Sequence, residues 1–178
     1  MPPLLFLTDP ERTPQPWEQA GRLPPGAGVV LRGFGRDSER ATGERLGKVC
    51  RERRLTLLVG ADEALAEAIG AAGLHLPERD LGRAPAVRMR RPDWLITGAA
   101  HSQAELDRAA LAGVDAVLLS PVFASASPSA GAPLGVDRFQ AWVKGARVPV
   151  YALGGVTATT APALAASRAC GLAGVSGI

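Results

Sequence analysis

Two stretches near the end of the chain decide its fold: Val148-Pro149-Val150-Tyr151-Ala152-Leu153-Gly154-Gly155 and Gly171-Leu172-Ala173-Gly174-Val175-Ser176-Gly177-Ile178. Each is a short apolar run that leads into glycine, and an alanine-rich segment lies between them. Glycine at the carboxyl end of a strand lets backbone N–H groups approach a phosphate closely. In a β/α barrel, phosphate binds at the loops after the seventh and eighth strands. Reading these stretches as strands seven and eight predicts a barrel and a small phosphorylated ligand, and it demands six further strands upstream.

The rest of the chain supplies them. Apolar runs of strand length occupy residues 4–8, 28–32, 55–59, 73–76, 94–98 and 116–120, followed by 148–153 and 172–176. Runs apolar on both faces suit a buried parallel sheet. Helical segments are predicted between them at 17–23, 37–53, 62–71, 103–112, 136–144 and 160–169, whereas the Arg- and Pro-rich stretch 78–92 reads as loop or a single helical turn. Alternating β and α units with right-handed crossovers give a doubly wound sheet or a barrel. Eight strands with a phosphate signature on the last two favour the TIM-type (β/α)8 barrel, as one domain over residues 1–178.

At 178 residues the chain is short for a fold that typically takes about 250. The expectation is a truncated barrel with short helices, lacking the last outer helix. Apolar barrel surface left bare in that way calls for cover, so a homodimer or larger assembly is expected.

Composition narrows the function class. Net charge is only +3, from 20 Lys and Arg against 17 Asp and Glu. Arginine clusters at Arg40–Arg54 and Arg79–Arg91 read as solvated faces. Aromatic content of 4%, with no recognition motif, argues against nucleic acid. No stretch reaches the roughly 18 apolar residues of a membrane span. Cys50 and Cys170, both placed in predicted helices, lack metal-ligand spacing, and with the absence of a signal-like start they indicate a reducing cytoplasm without a disulfide. The segment 124–133, rich in Ser, Ala and Pro, follows strand six where a lid would sit.

Several motifs, in order, resemble one family. They are Leu5-Phe6-Leu7-Thr8-Asp9; Gly73-Leu74-His75-Leu76-Pro77-Glu78-Arg79-Asp80; Gly98-Ala99-Ala100-His101-Ser102 with Glu105; Ser120-Pro121-Val122-Phe123-Ala124-Ser125 with Gly135; and Pro149–Thr157 with Gly174-Val175-Ser176. Together they resemble the thiamine phosphate synthase/TenI family of truncated β/α barrels, across nearly the whole chain and most strongly from residue 94 onward. The resemblance implies one of two activities. Thiamine phosphate synthase joins a pyrimidine diphosphate to a thiazole phosphate with Mg²⁺. TenI-type proteins are thiazole tautomerases that shift a proton without a metal.

The carry-over of individual residues favours the second activity. The family's Gln-x-Arg-x-Lys on strand two is here Val30-Leu31-Arg32-Gly33-Phe34, so only Arg32 matches. The Asn-Asp after strand three, whose Asp binds Mg²⁺, falls on Gly60-Ala61, with Asp62 one residue later. The second metal carboxylate matches Asp80, which is a metal ligand only on the synthase reading. A family serine on strand five is Ala99. The loop pattern Thr-x-Thr-Lys becomes Ser125-Ala126-Ser127-Pro128. One carboxylate makes a poor Mg²⁺ site, so no cofactor is expected unless the chain is a synthase. His101 falls where the TenI histidine lies, and an ordinary histidine pKa of about 6.5 suits proton shuttling. His75 reads as structural. The expected site thus comprises His101 as acid–base; Gly154, Gly155, Ser176 and Gly177 as a phosphate cradle; Ser125 and Ser127 closing over the phosphate; and Arg32 pairing a ligand anion. Three functions stay open: thiazole tautomerase, diverged synthase, and non-catalytic binder of thiazole or thiamine phosphate.

Overall fold

Eight parallel strands close on themselves in sequence order: β1 (Leu4–Leu7), β2 (Gly28–Leu31), β3 (Thr56–Gly60), β4 (Gly73–Leu76), β5 (Leu95–Ala100), β6 (Ala116–Leu119), β7 (Val150–Ala152) and β8 (Gly171–Gly174), with β8 pairing back onto β1. This is the closed barrel that the terminal glycine-marked strands call for. The computed structural model describes residues 1–33, 39–125 and 131–176. Every residue of β2, β4 and β6 is buried, because the strands face packed side chains inside the barrel and helices outside.

Alternation along the strands sorts two cores. Leu5, Leu7, Val30, Leu58, Leu118, Tyr151 and their neighbours fill the barrel interior. Phe6, Val29, Leu31, Val59, Leu74 and Leu76 face the outer layer. Tyr151 anchors the amino end of the barrel through its hydroxyl, which donates to the Pro2 carbonyl at 2.6 Å.

The outer layer contains α1 (Pro16–Ala20), α2 (Glu39–Arg53), α3 (Glu63–Ile69), α4 (Ala84–Arg90), α5 (Gln103–Leu111) and α6 (Gly135–Gly145). Helix starts near the site are fixed by local chemistry. The Asp62 carboxylate accepts from Leu65 N at the start of α3. Ser102 and Glu105 cap α5 reciprocally. Such caps satisfy amide donors that a helix end leaves unpaired.

Two segments depart from expectation. Residues 78–92 are not loop: a 3-10 turn, Glu78–Arg83, runs into α4. Pro85 lies in the first turn, where its missing N–H costs nothing, and Ala84 and Val87 bury their side chains. Conversely, 160–169 is no α-helix but a 3-10 turn, Ala161–Leu164. There the Thr160 hydroxyl donates to Gly155 O at 2.8 Å and receives Thr157 N at 2.9 Å. Such bonds compete with helical pairing. Cys170 accordingly precedes β8 instead of lying in a helix, while Cys50 is buried in α2; both thiols are free. Among the described residues, no helix is long and apolar enough to cross a membrane.

Candidate active site at the carboxyl ends of the strands

A cavity of about 900 Å³ opens at the carboxyl ends of the strands, the face on which barrel enzymes carry their sites. Gly154, Gly155 and Ser176 line one side, Arg32, Asp62 and Arg83 the other, and His75 and His101 the space between.

On the glycine side, the backbone amides of Gly154, Gly155, Val175 and Ser176 have no hydrogen-bond partner among the described residues. Unpaired amides at a concave rim are anion receptors. The two glycines have a second reason to be glycine. Both have positive φ, 91° and 65°. A Cβ on Gly154 would meet Pro121 Cα at 2.7 Å, and one on Gly155 would meet Ala124 O at 2.4 Å. Their small size lets the loop after β7 lie against the loop after β6. Ser125 also lines the cavity. Ser127 and Gly177 lie outside the described residues.

Arg32 extends β2 into the mouth, as expected, but the chain itself provides an anion for it. Its Nη2 lies 3.8 Å from Asp9 Oδ2 and its Nε donates to Thr8 O at 2.9 Å. Burial pulls the Arg32 pKa below its ordinary value, and the Asp9 charge opposes that shift. Asp9 also takes Arg12 through Nε and Nη2, at 3.2 and 2.9 Å. Burial works against the Asp9 carboxylate, yet bonds from the Arg12 and Glu11 amides and the Arg12 side chain hold it below the usual carboxylate range. A buried cation needs such a partner.

The two histidines occupy different states. His101 is exposed on the rim, and its Nδ1 lies 2.9 Å from Ser120 O and 3.2 Å from Ser120 Oγ. A carbonyl can only accept, so Nδ1 carries the proton and Nε2 is the free acceptor. Helix capping falls to Ser102, which leaves the His101 ring available to the cavity. His75 faces the barrel interior from β4, with Nδ1 3.0 Å from the Thr97 hydroxyl. Burial, helped by the Arg32 charge, pushes its pKa down to about 4. It is a neutral imidazole at neutral pH and lines the cavity.

The carboxylates expected to hold Mg²⁺ on the synthase reading do not fit one. Asp62 is turned to cap α3, through Oδ1 to Leu65 N at 2.9 Å. Asp80 lies outside the cavity lining, with its Oδ2 4.0 Å from Arg83 Nη1. No group of three His, Cys, Asp or Glu among the described residues could hold a metal ion. Arg83 instead places its guanidinium here, donating from Nη1 to Ala61 O at 2.9 Å and from Nη2 to Glu63 Oε1 at 3.0 Å.

Asp9 and Ser120 stand in the quoted motifs and Arg83 in an arginine cluster, but the sequence reading assigned no site role to them or to Arg12. Asp9 and Ser120 each lie just past the end of a strand, the position where barrel sites collect, and that signal would have found them. Arg83 is visible only once residues 61 and 83 are brought together.

With this geometry in place, the known proteins that the chain resembles are informative. A family model described as thiamine monophosphate synthase (TMP-TENI) matches residues 29–178. The thiamine-phosphate synthase of Synechococcus sp. (strain WH7803) is 34% identical over 184 residues, covering 98% of this chain and 52% of that protein. The putative thiamine-phosphate synthase of Geobacter sulfurreducens is 34% identical over 133 residues, covering 71% of this chain and 62% of its own length. The chain thus spans about half to three fifths of these curated relatives. Among solved structures, the thiamine phosphate pyrophosphorylase from Pyrococcus furiosus superposes with a TM-score of 0.80 at 20% identity, covering 97% of this chain and 84% of that one. The matched region runs from β2 through both glycine-marked strands, and the chain belongs to the thiamine monophosphate synthase family.

Proposed function

We propose that this chain is a thiamine-biosynthesis enzyme that seats a phosphorylated thiazole in the barrel mouth and moves a proton on it without a metal, as a TenI-like tautomerase does. The observation that carries this reading is the His101 ring. Its Nδ1 is tied to Ser120 O, which leaves Nε2 as the acceptor at the cavity. Nε2 takes a proton from one atom of the ligand and the resulting imidazolium returns it at another, so charge and atoms balance over the cycle. The ligand phosphate lies on the amides of Gly154, Gly155 and Ser176, with Ser125 beside it. The glycine turns keep the two loops close, and the amides beside them receive the anion. Cytoplasmic residence and a homodimer belong to the same proposal.

A second reading, coupling of a pyrimidine diphosphate to the thiazole phosphate, is favoured by the names of the relatives. Against it stand Asp62, used as a helix cap, and Asp80, held outside the cavity lining. Thiamine phosphate formation, assayed with Mg²⁺ and with EDTA, separates the readings. The proposal expects no product in either condition from protein shown to be folded. Robust Mg²⁺-dependent product would establish the second reading in its place.

A further inference from the structure

The loop after β7 holds one more unpaired amide beside the two glycines. Val156 is 3% exposed and lines the cavity, and its N–H has no hydrogen-bond partner among the described residues. A buried amide without a partner is rare in folded chains, so this one points to something that it binds. Its direction follows from the peptide it belongs to. The Gly155–Val156 peptide is trans, so its N–H points opposite to its C=O. That carbonyl, Gly155 O, accepts the Thr160 hydroxyl at 2.8 Å. The loop after β6 fixes the two preceding peptides in the same manner: Val122 N donates to Leu153 O at 2.9 Å, and Phe123 N donates to Gly154 O at 3.0 Å. Successive carbonyls are thus held, and the N–H groups of Gly154, Gly155 and Val156 are turned away from the groups that hold them. We infer that Thr160 is a positioning residue for the phosphate seat, its hydroxyl holding the Gly155 carbonyl so that the Val156 amide becomes the loop's third donor to the phosphate.

The hydroxyl is itself held from both directions. It gives its hydrogen to Gly155 O, and a hydroxyl oxygen still accepts: Thr157 N donates to it at 2.9 Å. Thr160 N in turn donates to Thr157 Oγ1 at 3.3 Å, which closes the turn. The Thr157 amide is spent in this way, so the run of unpaired donors stops at Val156. Gly155 offers little backbone resistance of its own to rotation of the peptide that follows it, so the plane of that peptide depends on the Thr160 hydrogen bond. Unlike the clamps on Leu153 O and Gly154 O, this one is made by a side chain and can be removed by substitution. The inference rests on the phosphate seat of the reading above, and not on proton transfer at His101.

Titration of the isotope-labelled chain with inorganic phosphate, followed by amide NMR and by calorimetry, tests the role of Thr160. In wild type the amides of Gly154, Gly155 and Val156 should all move downfield with one apparent affinity. Thr160→Val keeps the branched shape and removes the hydroxyl. It should weaken phosphate about tenfold, the scale of one charge-assisted hydrogen bond, and abolish the Val156 shift while the Gly154 shift persists. Thr160→Ser restores the hydroxyl and should bring both readouts back to within about twofold of wild type. The persisting Gly154 shift and the serine rescue separate a lost donor from a loosened fold. A Val156 amide that stays still while Gly154 and Gly155 move, undiminished affinity in Thr160→Val, or a serine variant as weak as the valine one would overturn the role of Thr160 and leave the seat standing. Phosphate that moves none of these amides would overturn the seat itself, and the proposed function with it.

Discussion

His75 gives a quantitative handle on the barrel interior. Its pKa of about 4 in the folded chain, against about 6.5 when unfolded, makes folding pH-dependent. Between those values the unfolded state binds a proton that the native state refuses, so stability rises with pH across the window and is lost as pH falls through it. At about 1.4 kcal/mol per pH unit the full window is worth about 3 kcal/mol, of which about 2 kcal/mol falls between pH 7 and pH 5. The perturbation is His75→Gln, which keeps a polar group near the Thr97 hydroxyl but removes the titration. Denaturant unfolding of wild type and variant at both pH values isolates the histidine, because other titrating groups cancel in the difference. Wild type should lose about 2 kcal/mol more than the variant between pH 7 and pH 5. Parallel losses, or an imidazole that titrates near 6.5 by NMR in the folded protein, would refute the buried neutral state.

Further predictions follow from single contacts. Gly155→Ala combines a positive φ with a Cβ 2.4 Å from Ala124 O, and should cost about 2–4 kcal/mol in denaturant unfolding. Asp9→Asn removes the charge that the Glu11 and Arg12 amides and the Arg12 side chain bond and that lies 3.8 Å from Arg32, and should cost about 1–2 kcal/mol at pH 7 in the same assay. The Asp9 pKa is lowered in the fold, so this difference should shrink as pH falls through the carboxylate range. Cys50 is 2% exposed and its thiol is pushed up to about 12. Ellman's reagent at pH 8 should therefore leave Cys50 unmodified until denaturant is added, because burial withholds both access and the thiolate.

The barrel is legible in the sequence because parallel strands buried on both faces give short continuous apolar runs, and all eight predicted runs overlap an observed strand. Helix identity is less legible. The alanine-rich 160–169 reads as helix by propensity, yet Thr157 and Thr160 tie the backbone into a turn. The stretch 78–92 reads as loop because arginine and proline mask the buried Ala84 and Val87. In the site, His101, Arg32, Gly154, Gly155, Ser125 and Ser176 are brought to one cavity, as their places after strand ends predicted. Their local partners were not predictable, since Arg32 finds Asp9, and Arg83 finds Ala61, only through barrel closure. Even the glycines carry a meaning that sequence alone does not separate: contact with the neighbouring loop and exposure of unpaired amides coincide at the same two positions.

The central claim is a proton transfer by His101 on a phosphate-held thiazole. Its most direct test is the rate of thiazole phosphate tautomerisation in EDTA, for wild type and for His101→Asn, alongside ligand affinity. The account predicts turnover by wild type, a fall of about 100-fold or more in the variant, and affinity changed by no more than about threefold. Equal rates in the two proteins, or no turnover by wild type that still binds the ligand, would contradict it.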